Sequence, residues 1–143
     1  MKVSEAMTRD VRVANPNETV QQAARMMASL DAGVLPVGEN DRLVGMISDR
    51  DIAIRGIAEG KGPEAKVRDI MTADVKYCFD DQDIEEVTRN MGDIQVRRLP
   101  VLDRNKRLVG ILSLGDIALK RREQAAEALS GISRPGGEHT QTG

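Results

Sequence analysis

At 143 residues, with a formal net charge of −2, 40% hydrophobic and 31% charged residues, the chain has the makeup of one soluble domain or two small units sharing a core. That balance gives no electrostatic footprint for nucleic acid, and with Tyr77 and Phe79 as its sole aromatics the chain offers no stacking platform for bases. Cys78 is the single cysteine, so no internal disulfide forms; with no apolar signal core in "MKVSEAMTRD" and no run near the roughly 18 apolar residues of a membrane span, a cytoplasmic location is expected.

In chain order, "VSEAMTRDV" (3–11) returns 64 residues later as "VRDIMTADV" (67–75). Each phrase is expected to lead into a short strand, Val11 to Val13 and Val75 to Tyr77. A helix follows in "ETVQQAARMMASL", where Val20, Ala23, Ala24, Met27 and Leu30 share one face; Ile84, Val87, Thr88, Met91 and Ile94 repeat the pattern. Next comes a predicted hairpin, "GVLPV" with "RLVGMIS", returning as "RRLPV" with "RLVGILS". From Arg42/Arg107 onward the shift is 65, so one residue was inserted between "GEND" and "LDRNK", where a turn tolerates it. A second helix starts near Ser48 and near Ser113; the first copy stops at "EGKG", and the second continues through "IALKRREQAAEAL".

These elements predict an α+β (mixed α/β) fold of two tandem βαββα repeats, 1–62 and 63–130, followed by a tail over 131–143 with the composition of a disordered end. A unit of about 60 residues buries too little to stand comfortably alone, and two packed sheet to sheet share one interior.

Two tandem copies of "MT", "LPV", "RLVG" and "S-x-x-D-I" in one order resemble the cystathionine-β-synthase (CBS) domain pair, or Bateman module, over Val3 to Ala118. The length leaves no room for an attached catalytic domain, so the chain looks like a stand-alone pair. The resemblance implies pseudo-two-fold symmetry, two clefts between the repeats that bind adenosine nucleotides (AMP, ADP, ATP, NAD(H) or S-adenosylmethionine), and homodimerisation into a flat disc through helical faces. No other cofactor is required.

Ser48-x-x-Asp51 and Ser113-x-x-Asp116 each open a helix, the signature of a capping box. The same geometry suits a ligand: helix-start amides attract phosphate, Ser donates to it, and a carboxylate accepts both hydroxyls of a ribose. Arg97 and Arg98 precede Leu99-Pro100 where Gly33 and Val34 stand in the first copy; paired guanidiniums suit phosphate, though solvated charges at a strand end read the same way. By resemblance, Ser113, Asp116, Arg97 and Arg98 form one cleft with Thr8, the backbone near Arg12, and Ala32 and Gly33. Ser48, Arg50 and Asp51 form the other with Thr72, the backbone near Lys76, and Val96 and Arg97. Adenine is expected against Ile111 or Met46, and the Asp116 cleft is expected to be the tighter.

Catalysis and metal binding find no constellation. His139 and Cys78 are one of each and far apart in sequence, and neither GxGxxG nor a P-loop occurs. Cys78 reads as a small buried hydrophobe, Met26, Met27 and Met91 as filler, Asp80, Asp81 and Asp83 as an acidic helix start, and Lys120 to Arg122 as a solvated face. Two functions stand: a regulatory sensor of adenosine nucleotides serving an unidentified downstream protein, or a protein-interaction scaffold with vestigial clefts. Neither needs nucleic acid or a membrane.

Overall fold

Each copy of the opening phrase begins with a single helical turn, α1 (Val3–Ala6) and α4 (Val67–Ile70), whose valine and last residue are buried. The computed structural model describes residues 1–120 and 122–135. Between these turns run α2 (Val20–Leu30), strands β1 (Val34–Glu39) and β2 (Arg42–Ser48), and the short α3 (Asp49–Asp51), which widens into a π turn over Ile52–Gly56 and a 3₁₀ turn over Ile57–Glu59. Gly60 ends that run at φ 83°, a left-handed conformation that glycine adopts without strain. After α4 come β3 (Cys78–Phe79), α5 (Ile84–Ile94), β4 (Arg98–Leu102), β5 (Leu108–Ser113), α6 (Leu114–Lys120) and α7 (Arg122–Ile132).

Local chemistry explains the boundaries. Thr19 caps α2 by accepting from the Gln22 amide, while the Gln22 side chain accepts from the Thr19 amide, a reciprocal box that satisfies two orphan donors. Asp31 and Gln95 close α2 and α5 in the left-handed region, at φ 52° and 58°. The β1–β2 turn places Asn40 and Asp41 at φ 54° and 63°, the pattern of a tight type I′ connection. In the longer β4–β5 turn, the Asp103 carboxylate accepts from the amides of Asn105 and Arg107 at 2.9 and 3.0 Å, which organises the inserted residue.

The compact units cross the sequence repeats: Met1–Val11 packs with the chain from Lys76 onward (unit 1), and Arg12–Val75 forms unit 2. In unit 1, β3 lies parallel to β4 and β4 antiparallel to β5, and Thr8 pairs with Ile111 on the far edge. In unit 2, the β1–β2 hairpin is flanked by Ala14 beside Val37 and by Thr72 beside Met46. Each hairpin thus holds the "MT" phrase of the opposite repeat, and the glycine of "RLVG" lets it in. A Cβ on Gly110 would lie 2.8 Å from the Thr8 carbonyl oxygen, and one on Gly45 would lie 2.8 Å from that of Thr72.

Three expectations shift. The opening strands are displaced: residues 11–13 form none, Ala14 makes only a bridge, and the second strand is Cys78–Phe79, where the chain first meets β4. Val20, Ala23 and Met27 of α2 are buried as expected, but Ala24 and Leu30 are exposed, whereas Ile84, Val87, Thr88 and Met91 of α5 are all buried. The difference is α7, which lies on α5 with Ala128 fully buried and a Cβ on Gly131 only 2.6 Å from Gly92 Cα. Helix also continues past Ser130 to Ile132, and the Gln95 side-chain amide donates to the carbonyls of Gly131, Ile132 and Arg134, so residues 131–134 are ordered where a tail was expected; residues 136–143, with His139, lie outside the described residues, as do the side chains of Lys120 to Arg122.

Aliphatic side chains fill both interiors. Val3, Ile84, Met91, Leu99, Leu112 and Ile117 meet in unit 1; Val20, Leu35, Val37, Ile47 and Ile70 meet in unit 2. The two aromatics stand edge to face at 5.6 Å beside β3, with the Arg104 guanidinium 4.1 Å from the Phe79 ring centre and paired with Asp81, which holds that carboxyl below its usual range. Among the described residues, no helix is long and apolar enough to cross a membrane.

Cys78 is 3% exposed, and burial, with Asp80 adding to it, pushes its thiol up to about 12. The folded chain is expected to react with a disulfide reagent at pH 8 far more slowly than the same chain in urea, as read by thiol titration. Because the shift is upward, the neutral thiol's contribution to stability is complete below the unfolded pKa and is lost only as pH rises toward the folded one.

Candidate functional site

The end of β5 and the start of α6 organise unit 1. The Ser113 amide donates to Asp116 Oδ2 at 3.2 Å, and the Asp116 amide donates to Ser113 Oγ at 3.1 Å. Thr8, brought alongside by its bridge to Ile111, donates its hydroxyl to the same Asp116 oxygen at 3.5 Å. Arg98 is the cross-strand partner of Ser113 and half-buried, so it shares that face of the hairpin. Arg97, one residue earlier, is exposed, and its carbonyl accepts from the Leu114 amide at 2.9 Å. Thr8, Ser113, Asp116 and Arg98 are therefore brought together, with Ile111 half-buried beside Thr8.

Unit 2 repeats the cap with different surroundings. The Ser48 amide donates to Asp51 Oδ2 at 2.9 Å, and the Asp51 amide donates to Ser48 Oγ at 3.0 Å. Val34 takes the cross-strand place of Arg98, and Gly33 that of Arg97, its carbonyl accepting from the Asp49 amide. Arg50 is exposed beside the cap and Met46 is 3% exposed, which leaves it little surface to offer a base. Thr72 pairs with Met46 as Thr8 does with Ile111, but its hydroxyl lies 3.5 Å from the Arg55 guanidinium, which also donates to the Met71 carbonyl at 3.0 Å. Arg12, Ala32 and Gly33 belong to unit 2, and Lys76 and Val96 to unit 1, with Val96 buried.

Two features go beyond the sequence reading. Most helix-start amides are already taken: those of residues 113, 114 and 116 are committed to the cap and to the Arg97 carbonyl, which limits what the backbone can offer an anion there. Arg55 is the second; its partner position in the other repeat is Lys120, and a cation kept in both copies is the signal that locates it. In both caps the bonds fall on Oδ2, leaving Oδ1 outside the cap, and each Ser hydroxyl accepts while keeping its own proton to donate. Among the described residues, no three His, Cys, Asp or Glu side chains converge as metal ligands.

Comparison with known proteins matches this geometry to one family. The CBS domain family model matches residues 3–55 and 67–123. The chain is 38% identical over 133 residues to the CBS domain-containing protein YhcV of Bacillus subtilis, covering 92% of this chain and 94% of that protein. Among solved structures it is similar to Hypoxic Response Protein I with two coordinated zinc ions (TM-score 0.76, 37% identity, 84% of this chain and 98% of that one). It is also similar to the CBS domain pair of protein MJ0100 in complex with 5′-methylthioadenosine and S-adenosyl-L-methionine (TM-score 0.73, 26% identity, 83% and 94%).

Proposed function

The chain belongs to the CBS-domain family as a tandem pair, and from that premise we propose that it is a regulatory sensor, not an enzyme, that binds an adenosine nucleotide such as AMP, ATP or NAD(H). The observation that carries the reading is the gathering of Thr8, Ser113 and Asp116 in one hydrogen-bonded group, with Arg98 across the hairpin from Ser113. Asp116 Oδ1 accepts from the ribose hydroxyls, Thr8 steadies that carboxylate through its own hydroxyl, the Ser113 hydroxyl donates to the phosphate end, and Arg98 and Arg97 neutralise it. Adenine lies against Ile111. The family resemblance adds Arg12, Ala32 and Gly33 to this ligand's contacts.

A second, weaker site uses Ser48, Asp51 and Thr72 with Arg50 and Arg55, to which the resemblance adds Lys76, Val96 and Arg97. Its hairpin offers Val34 where the first has Arg98, and Met46 is covered. The similar MJ0100 pair, complexed with two adenosine compounds, supports the ligand class. No other cofactor is needed. The chain acts in the cytoplasm as a homodimer, and a downstream protein reads the arrangement that the nucleotide favours, which requires unequal affinity for two states.

A thermal-shift series with AMP, ATP, NADH and S-adenosylmethionine tests this. A ligand at a hundred times its dissociation constant stabilises the fold by about 2.7 kcal/mol, a clear rise in Tm. No rise with any of the four favours the scaffold reading, in which the complete caps of Ser48 and Ser113 serve structure alone.

A further inference from the structure

The two repeats turn the same threonine to opposite uses. In unit 1 the Thr8 hydroxyl donates to Asp116 Oδ2 at 3.5 Å. In unit 2 the chain after α3 widens into the π turn over Ile52–Gly56, which packs on α4, and Arg55 reaches the end of that helix. Its Nη1 donates to the Met71 carbonyl at 3.0 Å and to Thr72 Oγ1 at 3.5 Å. Thr72 therefore accepts where Thr8 donates, and its own proton has no acceptor among the described residues.

An anion in unit 2 meets side chains, because the backbone is committed. The amides of Ser48 and Asp51 serve the reciprocal cap, that of Asp49 donates to the Gly33 carbonyl, that of Arg50 to Asp49 Oδ1, and that of Ile52 to the Asp49 carbonyl. Arg55 uses only Nη1 on the protein, so Nη2 and Nε keep their protons for a ligand. Anchored at one end, its guanidinium has less freedom to lose on binding than that of the exposed Arg50. Asp51 Oδ1 lies outside its cap and is able to accept sugar hydroxyls. A base finds little here: Met46 is 3% exposed, whereas Ile111 at the matching position is half-buried.

We infer that Arg55 sets the ligand class of the second site, which takes a small sugar phosphate without a base. The phosphate lies between Arg55 and the Thr72 hydroxyl, and the sugar hydroxyls lie on Asp51. The inference rests on reading Ser48, Asp51 and Thr72 as a ligand site and names what that site holds. The weaker nucleotide binding proposed there follows from the same covered Met46, and the two units take different ligands.

Amide NMR titration of the full chain with D-ribose 5-phosphate, with and without AMP, tests it. The probe is expected to shift the amides of Ser48, Asp51 and Thr72 even when AMP occupies the site of Asp116. Ribose, which carries no anion, is expected to bind at least about tenfold more weakly. Arg55→Met is expected to weaken the probe about 30-fold but ribose no more than about twofold, whereas a merely structural role would weaken both alike. Arg55→Lys keeps the charge without the fork, is expected to fall between the two, and serves if Arg55→Met does not fold. Arg25→Met, at an exposed arginine of α2, is expected to change neither ligand. Probe shifts confined to Thr8, Ser113 and Asp116, ribose binding as tightly as the probe, or a folded Arg55→Met that keeps full probe affinity overturns the inference. AMP shifts at Thr8 and Asp116 with no response to the probe overturn it while sparing the nucleotide reading; probe shifts at Thr72 with no response to AMP do the reverse; silence to both overturns both.

Discussion

Gly110→Val is expected to unfold unit 1 at temperatures where the unaltered chain is intact. The first atom of the new side chain would stand 2.8 Å from the Thr8 carbonyl oxygen and 2.7 Å from Met7 Sδ. The thioether can swing aside; the carbonyl cannot, because Ile111 donates to it at 2.9 Å and the Thr8 amide donates back to Ile111 at 2.9 Å. Relief means releasing the opening phrase. That forfeits two backbone hydrogen bonds, about 1 kcal/mol each, and uncovers Val3 and Met7, about 1.5–3 kcal/mol each. The sum is on the order of 5 kcal/mol, comparable to the whole stability of a small domain. Gly45→Val meets the same obstruction at Thr72 and is expected to do to unit 2 what Gly110→Val does to unit 1. Gly62→Ala, with nothing within 4 Å, is expected to be close to neutral. Urea midpoints of the three variants check the ranking; a Gly110→Val midpoint equal to that of Gly62→Ala would refute the account.

The second large effect concerns the proposed ligand. Asp116→Ala removes the carboxylate that would accept the ribose hydroxyls, and is expected to lower nucleotide affinity about 100-fold, near 2.7 kcal/mol. It also deletes half of a capping box, so a stability loss of about 1 kcal/mol accompanies it. Asp116→Asn separates the two effects. Its amide oxygen can still take the Ser113 hydrogen bond, but its nitrogen cannot accept the second hydroxyl, so stability should largely return while affinity stays well below that of the unaltered chain. Isothermal titration with the nucleotide that gives the largest thermal shift reads the affinities. Unchanged binding in Asp116→Ala would remove this residue from the site.

Much of the architecture was legible because duplicated phrases report themselves. The "LPV" and "RLVG" pairs predict the hairpins, and the one-residue change of shift locates the turn that absorbs it. The opening strands were misplaced because pairing there depends on where the chain meets β1, at Ala14, and β4, at Cys78, a tertiary fact with no local trace. Ala24 and Leu30 fit the helical period of a core face yet lie open; periodicity counts apolar side chains but not which packing partner the fold supplies. The Ser-x-x-Asp caps were readable from chemistry, since a serine three residues before an aspartate suits a helix start. The committed amides were not, since the Arg97 carbonyl that takes one of them arrives from a different strand. Arg55 was overlooked because its partner Lys120 is a different residue type; only charge is common to the two places.

The exchange of opening phrases sets the order in which this protein can assemble during synthesis. Met1–Val11 is made before every segment it packs against, yet its partners in β5 lie a hundred residues downstream, at Gly110 and Ile111. Unit 2 has its described parts once Val75 has emerged, whereas the opening phrase of unit 1 finds its first backbone partners at Asp80 and Gln82 and completes its pairing at Ile111 only when the second hairpin arrives. The opening phrase therefore completes its docking late, and the nascent chain carries Met7 and Thr8 without their β5 partners for most of translation.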